Sequence, residues 1–216
     1  MPKLKPEELE TRRTEIIDAA RACFLRTGFH KTTTDEICRE ANITPGGLYH
    51  YFGSKEELIA AVIERSAETG VQRMKDLIAD SLNAESAFRQ VRSVFFQSMQ
   101  DSEIDAATRL ELEIWVEGLK NPNLFEKSQR AWVMRTQWLE ALVEKGLAEG
   151  VYRGNNVEPR AMASLLIAIW LGLRMGRLMG GEFDINGAMR SFVLMMGGQI
   201  QSTIEPPALS EMPVPS

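Results

Sequence analysis

Residues 32–59 read TTTDEICREANITPGGLYHYFGSKEELI, and the starts of three helices are written into that stretch. Thr33 followed by Glu36 is a capping box: the hydroxyl takes one unpaired backbone N–H of the first turn while the carboxylate reaches back to another. The helix it opens runs to about Ala41 and breaks at Asn42. Thr44 then supplies an N-cap oxygen, and Pro45 occupies the first helical position, where its missing N–H costs nothing. A second short helix follows, to about Phe52. Ser54 with Glu57 predicts another capping box, opening a long helix toward Asp80 whose apolar stripe is Leu58, Ile59, Val62 and Ile63.

Two short helices joined by Asn42, Ile43 and Thr44 form a helix-turn-helix. A unit this small cannot bury its own apolar side chains, so Ile37, Cys38, Ala41, Ile43, Leu48 and Phe52 must share a core with another element. The upstream segment offers one. From about Glu10, Ile16, Ala20, Cys23, Phe24 and Thr27 recur every three or four residues on one helix face, with Gly28 as the stop and Phe29 packing at the turn. Three helices then make one compact head.

With Leu48 and Phe52 turned inward, helix periodicity leaves Thr44, Pro45, Gly46, Gly47, Tyr49, His50 and Tyr51 around the free end and flank of the third helix. Hydroxyl and imidazole groups can donate to phosphate oxygens or base edges, and glycines allow close backbone approach, so this helix suits insertion into a DNA major groove. Lys55 opens the next helix, where its cation adds to the unpaired N–H groups and suits a backbone phosphate. The charge distribution is compatible with a local contact only. The net charge is −5, whereas residues 1–55 hold nine basic and eight acidic side chains. Nucleic acid is therefore not bound by overall charge.

The quoted stretch, through its TP-G-LY-YF-SKEEL pattern above all, resembles the N-terminal signature of the TetR family of bacterial one-component transcriptional regulators, over about residues 10–63. The resemblance implies a homodimeric repressor that binds double-stranded operator DNA, with a helix-turn-helix head and a larger helical body that binds a small-molecule effector. It implies that the recognition helix spans Thr44 to Tyr51, with Tyr49 and His50 at phosphates, Lys55 on the DNA backbone and Thr34 where the second helix meets DNA. Two positions depart from the family pattern. Pro45 stands where many members carry Lys or Arg, and Gly47 where many carry Thr or Ser, so no operator sequence follows from these residues.

Beyond Asp80 the sequence offers further amphipathic helices at about 84–100, 106–118, 124–149, 159–180 and 185–205, with almost no strand signal. The predicted fold is all-α, with a head over 1–54, a ligand-binding and dimerisation bundle over 55–205 and a proline-punctuated, disordered tail over 206–216. The last two helices are apolar over more than one face, which predicts that a second copy covers part of them as a four-helix interface. The apolar run from Ala161 to Leu173 is shorter than the roughly 20 residues a membrane-spanning helix needs, and reads as a buried helix. Phe95, Phe96, Met99, Trp115, Trp132, Met134 and Trp138 are candidates to line an apolar effector pocket, and Glu111 and Glu113 are candidates to receive a cationic one.

Other classes find little support. Cys23 and Cys38 lie on apolar helix faces and read as buried free thiols, and His30 and His50 have no metal-ligand spacing, so no metal or cofactor is expected. The charged start of the chain is unlike a secretory signal, which points to the cytoplasm. No Ser-His-Asp set, Glu-x-x-His pair or phosphate-cradling glycine loop marks a helical-bundle enzyme. A non-catalytic helical adaptor is the remaining alternative to a DNA-binding regulator.

Overall fold

The computed structural model describes residues 5–101, 103–152, 157–180 and 182–197, and among these all regular structure is helical. The elements are α1 (Pro6–Thr27), α2 (Thr34–Glu40), α3 (Pro45–Tyr51), α4 (Lys55–Ile78), α5 (Ala84–Ser98), α6 (Glu103–Gly118), α7 (Pro122–Ala148), α8 (Pro159–Met179) and α9 (Ile185–Met196). Each predicted helix has a counterpart among the described residues, but several start earlier than periodicity placed them. α1 begins at Pro6 instead of near Glu10, because a proline at the first position and Glu7 and Glu8 in the first turn suit a helix N-terminus. α7 begins at Pro122, where the Asn121 side chain accepts from the N–H groups of Asn123 and Leu124. The stretch predicted to continue α9 to Glu205, and the tail predicted to be disordered, lie outside the described residues past Gly197.

α1, α2 and α3 pack as the predicted head, yet its core does not stop at Lys55. Ile16, Ala20, Phe24, Ile37, Leu48 and Phe52 are continuous with Leu58, Ile59 and Val62 of α4, and onward to Leu110 and Ile114 of α6 and Leu124 and Ala131 of α7. α4 is therefore shared property, packed on α1 at one end and on α5 and α7 beyond it. Charge pairs follow the same path: Arg65 of α4 meets Asp18 of α1, and Lys127 of α7 meets Glu64 of α4.

Behind α6 and α7 lies α8, with α9 against it. The reading of α8 as a buried helix needs correction. Ala163, Ile167, Leu173 and Arg174 are buried, but Leu165 is 55% exposed, and Met179 at the helix end is exposed too. The apolar surface exceeds what one subunit's neighbouring helices can cover, so only one face is enclosed. α8 is the single helix among the described residues long and apolar enough to cross a membrane by length and composition.

Candidate nucleic-acid interface

The turn between α2 and α3 depends on three features. Asn42 has φ 51°, a left-handed conformation that Asn adopts more readily than most side chains. The Ile43 N–H donates to the Cys38 carbonyl at 2.9 Å, and Arg12 of α1 donates to the Asn42 carbonyl at 2.9 Å. The sequence pattern missed Arg12, which ties the turn to α1. α3 then starts on Thr44, whose Oγ accepts from the Gly47 N–H at 3.1 Å. That capping bond uses the oxygen's lone pair and leaves the hydroxyl proton free to donate outward.

α3 buries Leu48, and the chain leaves it through Phe52, which is 1% exposed. The opposite surface carries Thr44, Pro45, Gly46, Tyr49 and His50, all exposed, with Tyr49 the most open large ring of the head at 56%. A Cβ at Gly46 would have no atom within 4 Å, so the α3 N-terminus presents bare backbone to solvent. Gly47 is half-buried beneath the Thr44 cap. Tyr51 does not share the expected outward orientation. Its position three residues after Leu48 sets it against the head core, where it is half-buried with its ring edge-on to His50. Thr34 is the first residue of α2 and is half-buried.

Lys55 is tethered. Its Nζ donates to the Phe29 carbonyl and sits 4.5 Å from the centroid of the Phe29 ring. Burial pushes the ammonium pKa down, and the nearby Glu56, Glu113 and Glu36 carboxylates oppose that shift. The expected capping box at this helix is also altered. Ser54 Oγ accepts from the Glu57 N–H at 3.1 Å, but the Glu57 carboxylate accepts from Gly53, one residue before the cap, at 2.8 Å. The box at α2 forms as predicted: the Thr33 N–H donates to Glu36 at 2.7 Å, and the Glu36 N–H donates to Thr33 Oγ at 3.2 Å. The Thr33 N–H bond, and after it the Thr33 hydroxyl donating to the same carboxylate at 3.1 Å, hold the Glu36 carboxyl below its ordinary pKa.

The same loop is where the body touches the head. Glu113 of α6 accepts from the Phe29 N–H at 2.6 Å, and Glu117 lies 3.7 Å from the His30 ring. Gly28, with φ 86°, is required twice over: a Cβ there would be strained, and would lie 2.7 Å from the Glu113 carboxylate. One peptide segment thus bridges α6 to the start of α4, through Glu113 on one side of Phe29 and Lys55 on the other.

Glu113 is accordingly not free to receive a cationic ligand, and neither is Glu111. Glu111 accepts from Arg174 at 2.7 Å and from Arg135 at 3.0 Å. The seven candidate pocket residues do not line one cavity. Phe95, Phe96 and Met99 join an apolar cluster with Leu173 and Met189, whereas Trp115 and Met134 pack on the main core. Trp132 and Met134 also border an open cleft of about 590 Å³ along α7. Trp138 is half-buried on α7. Their dispersal reflects rotation along each helix, since aromatic residues at unrelated helical phases face different neighbours.

Residues 16–62 match the family described as bacterial regulatory proteins, tetR family. The regulator UidR of Escherichia coli K12 is 32% identical over 117 residues, which is 54% of this chain and 57% of UidR, so the match spans little more than half of each. Salmonella enterica GusR superposes with a TM-score of 0.63 at 25% identity, covering 91% of this chain and 100% of GusR. Bacillus subtilis FadR, solved with stearoyl-CoA, shares the fold with a TM-score of 0.67 at 20% identity, covering 86% of this chain and 98% of FadR. With the turn at Asn42, the capped α3 and its exposed Tyr49 in place, residues 16–62 form a head of the kind described for the tetR family of bacterial regulatory proteins.

Proposed function

We propose that this chain is a non-catalytic, cytoplasmic, effector-responsive repressor that binds double-stranded operator DNA as a homodimer, with a head over 1–54 and an effector-binding, dimerising body after it. The observation that carries this reading is the α3 surface: Thr44, Pro45, Gly46, Tyr49 and His50 are exposed together on a helix braced from behind by Leu48 and Phe52. Such a helix fits a major groove, with Gly47 allowing the backbone close and Thr34 at the start of α2 on the flanking phosphates. Tyr51 acts there mainly by fixing α3 to the core. Dimerisation is supported by exposed apolar side chains on α8 and α9, among them Leu165, Leu194, Met195 and Met196. Two copies would present their α3 helices about 34–36 Å apart, or a multiple of that, along a pseudo-palindromic site.

The loop at Phe29 supplies a route from effector to DNA. An effector that prefers one setting of α6 moves Glu113, and with it the Phe29 peptide that holds Lys55. Only its difference in affinity between DNA-compatible and incompatible states acts on the operator, and about 1–3 kcal/mol of such coupling changes operator affinity roughly 5- to 150-fold.

A gel-shift titration against the DNA upstream of the chain's own coding region tests the reading. A specific complex with a protein dimer is expected, and Tyr49→Ala should weaken it by about 1–3 kcal/mol while leaving the melting temperature unchanged. An adaptor or an enzyme would give no specific complex. Lys55→Ala should weaken binding on all sequences and reduce the slope of log affinity against log salt by about one. An unchanged slope would confine Lys55 to holding Phe29.

A further inference from the structure

The interior of the body holds an unbalanced charge cluster. Arg174 is 3% exposed, donates to Glu111 at 2.7 Å and to the Thr108 hydroxyl at 2.9 Å, and stacks 4.5 Å over the Trp170 ring. Arg135 shares the same Glu111 carboxylate, and its Nε is buried with no hydrogen-bond partner. One helical turn beyond Arg174, Arg177 pairs with Asp105 at 2.8 Å and donates to the Met99 carbonyl. Three guanidinium groups therefore face two carboxylates, and among the described residues no other acidic side chain pairs with them. A buried cation without its full complement of acceptors is costly.

An apolar cluster adjoins this surplus. Met99 and Leu173 are buried at its centre, while Phe95, Phe96, Ile169 and Trp170 are only half-buried around them. Trp170 belongs to both, presenting a ring to Arg174 and packing with the apolar group. Arg135 encloses its Nε but keeps about a third of its side chain open to solvent, so an anion meets the guanidinium from its open side.

We infer that Arg135 and Arg174 are the anchor of an effector site for an amphipathic carboxylate, whose carboxyl group pairs with the solvent-open side of the Arg135 guanidinium and balances its charge while its apolar body lies against Trp170, Phe95 and Phe96. The inference rests on the reading of the body as an effector-binding unit and names the chemistry of what it binds. The bidentate fit of guanidinium to carboxylate selects acids over neutral or cationic molecules of the same length. Seating such a ligand moves Glu111, and so acts on the helix that carries Glu113 to the head.

The test uses the full-length protein and three probes with matched tails, decanoate, 1-decanol and decyltrimethylammonium, plus 4-phenylbutyrate as an aromatic acid. Calorimetry should show the acids binding at least about 10-fold more tightly than the alcohol or the cation. Arg135→Met leaves Arg174 and Glu111 as a neutral pair, so this variant should fold with an unchanged melting temperature and still shift DNA. Its affinity for the acids should fall about 10- to 100-fold, the range for losing a hydrogen bond to a charged group. Arg135→Lys, with charge but no fork, should fall between the two. Equal binding of all probes, no binding of either acid, or undiminished acid binding by Arg135→Met would overturn the assignment. Failure of the wild type to shift DNA would instead overturn the regulator reading, because the calorimetric result does not depend on DNA.

Discussion

Phe52→Ala is expected to cost the head about 3–5 kcal/mol, the usual range for deleting a fully buried aromatic ring. Phe52 leaves α3 in an extended conformation with its N–H still bonded to the Leu48 carbonyl, so its ring plugs the junction of α1, α3 and α4. The Arg13 guanidinium lies 5.0 Å from the ring centroid and closes it from the α1 side. The Ala variant opens a cavity at the point where the proposed DNA-facing helix is braced, and α3 itself contributes only the buried Leu48 and the half-buried Tyr51 to hold it down. The first transition of a urea melt should move to lower denaturant, and specific DNA binding should be lost together with the head's helical signal. Comparison with Tyr49→Ala separates the two surfaces of α3, because that variant should lose DNA affinity without losing stability. Equal stability of Phe52→Ala and wild type would mean that the head collapses around the gap.

Much of this arrangement was legible before any coordinates, because the head is built from local rules. Thr33, Thr44 and Ser54 announce their helices by chemistry acting within three residues, and each hydroxyl caps the helix expected of it. Tyr51 was harder to place. Being three residues after Leu48 puts it at the margin of the buried face, where a short helix's packing on its neighbours decides the outcome. The Phe29 bridge joins residues far apart in the chain, with Glu113 lying 84 positions after Phe29. No local pattern pairs them. A positive-φ glycine at Gly28 signals a turn, but not which carboxylate fills the space its missing side chain leaves.

The body shows the same division. Helix limits followed from prolines, asparagines and glycines, while the pocket candidates scattered because residue type alone carries no phase information across separate helices. A usable signal was present in α8: Arg174 and Arg177 interrupt its apolar sequence three residues apart, on one face. Charges placed so in an otherwise apolar helix demand buried partners. Their identities, Glu111 and Asp105, emerge only when α6 is docked against α8.

Glu111→Ala is expected to destabilise the body by about 3–5 kcal/mol, because it leaves two guanidinium groups facing each other without the carboxylate they share. Arg174 would retain the Thr108 hydroxyl alone for its buried charge, and Arg135 would lose its acceptor as well. The asymmetry within the cluster is the informative part: removing Arg135 relieves a charge excess, whereas removing Glu111 doubles it. Urea melts at one fixed protomer concentration, which keeps any dimerisation contribution constant, should therefore rank Glu111→Ala far below both wild type and Arg135→Met. Replacing Glu111 by Leu and Arg174 by Met together should recover most of the loss, since a well-packed apolar pair avoids the desolvation of both charges. An added carboxylate should stabilise Glu111→Ala more than it stabilises wild type, as it restores the missing negative charge among the same arginines. A cost below about 1 kcal/mol for Glu111→Ala would mean that water already screens the cluster, and the argument for a buried cationic surplus would fail.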